Sequence, residues 1–108
     1  MRPSVAQLKA EPEFPDYLRS MQDAFECYRS KRGVTLPQAF IWLASETGMS
    51  VDQLKRTYAG ESFPIRRTFK KILQAADLPA DGRSELERLH DLLRARARPM
   101  SAPIPRGQ

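Results

Sequence analysis

The chain has 108 residues, a formal charge of +5 and a sequence pI near 9.8. That length suits one domain with a single modest core. A single cysteine excludes an intramolecular disulfide; one cysteine and one histidine assemble no convincing metal cluster, and Cys27 has no histidine or base near it in sequence with which to form a nucleophile–base pair. No stretch approaches the roughly 20 apolar residues of a membrane span, and the first 18 residues lack a signal peptide's apolar run, so a cytoplasmic setting is expected.

Residues 1–13, with Pro3 and Pro12 and little periodicity, read as a flexible arm. A first helix starts near Pro15 or Asp16. Leu18, Met21, Phe25 and Tyr28 fall on one face of it, and Lys31, Arg32 and Gly33 close it. A second helix begins around Thr35 to Pro37, where Thr35 and Gln38 have the spacing of a capping box. Its inward face is Leu36, Phe40, Leu43 and Ala44, and Ile41 and Trp42 are left on another side. Gly48 supplies a positive-φ turn, followed by Met49 as an apolar plug.

Ser50 and Gln53 form a second capping-box pair that opens a third helix, ending at Gly60. With Leu54 inward, Val51 and Tyr58 follow it. Asp52, Gln53, Lys55, Arg56 and Ala59 then face outward. A fourth helix follows Ser62 and Pro64, its stripe being Ile65, Phe69, Ile72, Leu73 and Ala76. Pro79 and Gly82 interrupt the pattern before a fifth helix, for which Ser84 and Glu87 have capping-box spacing. Residues 98–108, with three prolines in RPMSAPIPRGQ, read as a disordered tail. No strand alternation is present. The expectation is an all-α bundle of about five helices over residues 14–97.

Charge is unevenly spread. Between Ser50 and Ala76 the bases Lys55, Arg56, Arg66, Arg67, Lys70 and Lys71 face only Asp52 and Glu61, whereas the acids dominate from Asp77 to Leu93. Positive charge concentrated on two consecutive helices points to an anionic partner more strongly than the net value alone.

The run ASETGMSVDQLKRTYAGESFPIRRTFKKILQAADLP, residues 44–79, resembles the Xre/Cro-like helix-turn-helix family of phage-repressor type regulators. The likeness extends over roughly Pro15 to Pro79. It departs at Phe40, where the family carries a polar phosphate-contacting group, and at Thr57, where an aliphatic residue is usual. The resemblance implies a sequence-specific regulator of double-stranded DNA, a repressor acting by promoter occupancy. Asp52, Gln53, Arg56 and Ala59 would then read base edges, because an α-helix fits the major groove, where the three polar side chains suit its donors and acceptors and Ala59 suits a thymine methyl. Ser50, Lys55, Arg66, Arg67 and Lys70 would contact phosphate.

Such readers commonly pair over two half-sites. Leu86, Leu89, Leu92 and Leu93 on the fifth helix exceed what a four-helix core needs, and are expected to join a homodimer; Ile41 and Trp42 are the second candidate surface. His90 is expected at the surface or interface. No catalytic residue, metal, cofactor or small-molecule effector is expected, and the chain reads as a non-enzyme. The alternative is an antitoxin-like or accessory protein-interaction module built on the same helices, with exposed Ile41 and Trp42 as its contact.

Overall fold

The computed structural model describes residues 5–97, and all of its regular structure is helical. In order the elements are α1 (Val5–Lys9), α2 (Phe14–Arg32), α3 (Leu36–Thr47), α4 (Val51–Ala59), α5 (Arg66–Ala76) and α6 (Ala80–Ala97). The five long helices are those expected from periodicity. No helix among the described residues is long and apolar enough to cross a membrane.

The longest helix, α2, is the central post, in contact with α3, α4, α5 and α6. Tyr17, Met21, Ala24, Phe25 and Tyr28 all disappear from solvent along it. Two aromatic groups form around its ends. Phe25, Phe40 and Tyr58 meet with ring centroids 5.5 to 5.7 Å apart, joining α2 to α3 and α4. Phe14, Tyr17, Phe63, Phe69 and His90 make the other, joining α2 to the α4–α5 loop, α5 and α6. Tilted and stacked aromatic pairs of this kind add specific geometry to apolar burial.

Several expectations are corrected. The segment read as an arm holds α1, whose Leu8 is wholly buried against the core. α1 packs on α2 and α6, and Arg96 of α6 bonds to Glu11 and Glu13 in the α1–α2 link. Residues 1–4 of the arm and the 98–108 tail lie outside the described residues. The last helix starts at Ala80 rather than Ser84. Pro79, which has no N–H to lose, offers its carbonyl to Arg83 N at 2.9 Å, and Asp81 sits at the positive end, so Gly82 is absorbed in the first turn. Ser84 therefore lies a turn inside the helix and caps nothing.

The leucine assignment also changes. Leu86, Leu89 and Leu93 are at most 2% exposed and complete the chain's own core, and Leu92 is half-buried. α6 lies along α2, so the surplus leucines are consumed within the monomer. His90 goes the same way. It is fully buried, its ring stacked between Phe63 and Phe69 at 4.5 and 3.9 Å, with Nε2 2.9 Å from Pro64 O. Ile65, read as the start of the α5 stripe, is instead the N-cap residue and 53% exposed.

Candidate nucleic-acid interface

The region from Thr35 to Lys71 is assembled by local chemistry at each junction. Thr35 Oγ1 accepts from Gln38 N at 3.3 Å and Gln38 Oε1 accepts from Thr35 N at 3.0 Å, the reciprocal box its spacing predicts. α3 ends at Gly48, whose φ of 79° lies in the left-handed region and whose N–H bonds Ala44 O at 2.9 Å. A Cβ added there would meet nothing within 4 Å, so glycine is required for backbone conformation and not for space. Thr47 is buried. Its hydroxyl donates to Leu43 O at 2.8 Å and accepts from Met49 N at 3.3 Å, which fixes the exit of the turn.

Three residues, 48–50, separate the two helices, and α4 opens with its own box. Ser50 Oγ accepts from Gln53 N at 3.0 Å and Gln53 Oε1 accepts from Ser50 N at 3.2 Å. Leu54 and Thr57 are buried below; Thr57 hides its hydroxyl by donating to Gln53 O at 2.9 Å, which is how the helix tolerates it inside. From α2, Gln22 Nε2 donates to Tyr58 O at 2.9 Å. α4 is thus held at its start by the turn and at its end by the post.

The face this leaves outward is the one read from the sequence. Asp52, Gln53, Lys55, Arg56 and Ala59 are all exposed. Two of them are engaged locally: Arg56 Nε lies 3.1 Å from Asp52 Oδ2 one turn away, and Gln53 has its carbonyl oxygen in the cap. An ion pair this exposed is worth only about 0.3–0.5 kcal/mol, so it orients the guanidinium without committing it.

Across the loop, α5 begins with the reverse of normal helix electrostatics. Its N-cap Ile65 makes no side-chain cap bond, its first turn carries no acid, and Arg66 and Arg67 stand there instead. Orphan backbone N–H groups and two guanidiniums make this end strongly electropositive. Of the expected phosphate contacts, Lys55, Arg67 and Lys70 are exposed and have no ion-pair partner among the described residues. Arg66 is drawn away: its Nη1 lies 2.7 Å from Asp91 of α6.

Sequence reasoning missed two features of this region. The uncapped α5 start could have been noticed, since no Ser, Thr, Asn or Asp stands at position 65. The other is a half-open cleft of about 190 Å³ beside the end of α4, walled by Val5, Phe63, Pro64 and Ile65, with Arg56 and Arg94 at its edge. Its walls come from four separate segments, which no local pattern brings together. Among the described residues no group of His, Cys, Asp and Glu is arranged to hold a metal ion. Against known proteins, no family model, no curated protein and no solved structure matches this chain.

Proposed function

We propose that this chain is a sequence-specific double-stranded DNA-binding regulator, a repressor that acts by occupying a promoter, with α3, the 48–50 turn and α4 as its helix-turn-helix. The observation that carries the reading is the outward face of α4: Asp52, Gln53, Lys55, Arg56 and Ala59 exposed on a helix fixed at both ends. Gln53 and Arg56 suit adenine and guanine edges, a good bidentate contact discriminating by about 1–3 kcal/mol. Lys55, Arg67, Lys70 and the amide end of α5 suit the backbone phosphates on either side. The protein works as a homodimer on two half-sites. With the α6 leucines in the core, Ile41 and Trp42, 58% and 44% exposed on α3, are an adjacent apolar pair open for pairing. No enzymatic role is part of this reading.

The test is a band-shift on the DNA upstream of the chain's own gene, with excess nonspecific duplex, since regulators of the family it resembles often control their own promoters. A discrete shift lost in Arg56→Ala supports base reading by α4. A smear removed by competitor reduces the interaction to charge attraction.

The same exposed Ile41 and Trp42 favour a second reading, a protein-interaction module whose partner covers them. Salt separates the two: phosphate contacts weaken steeply as salt rises, an apolar contact hardly at all.

A further inference from the structure

We infer that the cleft between α1, the α4–α5 loop and α6 binds a small organic carboxylate carrying one apolar ring, its anionic end held between Arg56 and Arg94. The cleft is half open and about 190 Å³ in volume, below the 300–1,000 Å³ of sites for drug-sized ligands. That is room for one ring and one head group, not for a nucleotide. The walls match this amphipathic shape. Val5, Phe63, Pro64 and Ile65 are apolar, and Ile65 keeps 53% of its surface in water although its neighbours on the core side are packed.

The edge matches the charge. Arg94 is exposed and forms no ion pair among the described residues, and Arg56 is held only by its exposed partner Asp52. Glu61, also on the lining, has no ion-pair partner among the described residues either. Arg56 is thus already shared with Asp52, and Arg94 is the guanidinium of the lining with no carboxylate partner among the described residues, the group that an incoming carboxylate meets. A planar guanidinium takes a carboxylate through two parallel hydrogen bonds, and charge-assisted bonds of that kind are the stronger class.

Arg56 belongs both to this cleft and to the outward face of α4. A carboxylate that draws the Arg56 guanidinium toward the α4–α5 loop removes it from that face. This consequence, ligand-relieved DNA binding, rests on the proposed function, whereas the binding site itself does not.

The experiment is an amide NMR titration of the full chain with benzoate, with benzamide as its uncharged analogue, in the absence of DNA. Saturable shifts centred on the amides of residues 61–63, 65 and 94, weak or absent with benzamide, are expected. Arg94→Ala should weaken benzoate about tenfold, the loss of one charge-assisted contact, and Glu61→Gln should strengthen it. Arg94 is exposed, so the variant's unliganded spectrum should remain that of the folded chain. No saturable response, an equal response to benzamide, or an unchanged affinity in Arg94→Ala overturns the site. In a separate arm, benzoate at about its wild-type Kd should weaken the band-shift of the wild type, and about tenfold more benzoate should be needed for the same effect on Arg94→Ala; if the site binds benzoate and the shift is unaffected, the coupling through Arg56 is overturned.

Discussion

His90 offers a direct test of how α6 is locked to the rest of the fold. Its Nε2 faces a carbonyl oxygen that can only accept, so that nitrogen carries the proton and donates to Pro64 O at 2.9 Å. Nδ1 is then the bare nitrogen. It is buried and has no hydrogen-bond partner among the described residues. Protonation would place a charged N–H between the Phe63 and Phe69 rings, and burial accordingly holds the imidazole below its ordinary pKa. The bond to Pro64 and the nearby Asp91 carboxylate oppose that effect, and the Arg94 and Arg66 guanidiniums add to it.

The sign follows from linkage. The unfolded chain binds a proton at His90 near the ordinary value of about 6.5, and the folded chain resists it. The contribution of the neutral ring is therefore complete above about pH 6.5 and declines as pH falls toward the folded pKa, by at most about 1.4 kcal/mol per pH unit. His90→Phe keeps the stack and removes the titration. It leaves Pro64 O without its donor, at a cost of about 1–3 kcal/mol, partly offset by removing the unpartnered Nδ1. Urea unfolding followed by circular dichroism at about pH 7.5 and about pH 5 should show the wild type losing more stability than His90→Phe over that interval. An equal loss in both proteins would refute the assignment of the pH sensitivity to His90.

Leu89→Asp buries a carboxylate at a site 2% exposed, so the variant should lose its helical circular-dichroism signal altogether; a folded variant of lower mass would restore α6 as an interface. Ile41→Ser combined with Trp42→Ser should leave the signal intact and halve the mass seen by light scattering, and an unchanged mass would remove α3 as the pairing surface. Gly48→Ala should cost about 1–2 kcal/mol in urea unfolding, for left-handed strain alone. Gly60→Ala should cost more, because its new Cβ would also lie 3.0 and 3.3 Å from the Leu18 methyls; equal costs would mean that Leu18 yields freely.

Where local signals were strong the fold was legible in the sequence. Thr35 with Gln38 and Ser50 with Gln53 marked two helix starts because the capping box is a contact over three residues. Gly33, Gly48 and Gly60 marked three ends for an equally local reason. The outward face of α4 followed from one inward leucine and the helical period. What failed depended on distant partners. α1 has five residues and one fully buried anchor, Leu8, too little for periodicity to register. Leu86, Leu89 and Leu93 looked like surplus because their receiving surface on α2 is more than fifty residues away. His90 is polar by type, and only the flanking Phe63 and Phe69 rings explain its burial. The cleft was illegible for the same reason, its apolar wall running from Val5 to Ile65 and its edge to Arg94.

Ile65 is where local stability and the proposed function pull in different directions. Its backbone, φ −67° and ψ 162°, is right for an N-cap, yet its side chain cannot accept from the open amides of α5. Asp at this position should gain about 1 kcal/mol from the cap and about 0.3–1 kcal/mol from the dipole. Giving up roughly half the burial of an isoleucine costs about 1 kcal/mol, from a full value of about 1.5–3 kcal/mol. Ile65→Asp should therefore leave the melting temperature unchanged or raise it by a few degrees, at about 4–8 °C per kcal/mol for a domain of this size. Its function should suffer all the same. A carboxylate among Arg66, Arg67 and the α5 amides neutralises the end proposed to meet phosphate, so the salt dependence of DNA binding should flatten by about one counterion. The same charge on the cleft wall should weaken benzoate. A melting temperature lowered by more than about 5 °C would refute the capping argument. An unchanged salt slope would place the start of α5 away from the DNA backbone, leaving α4 to act without it.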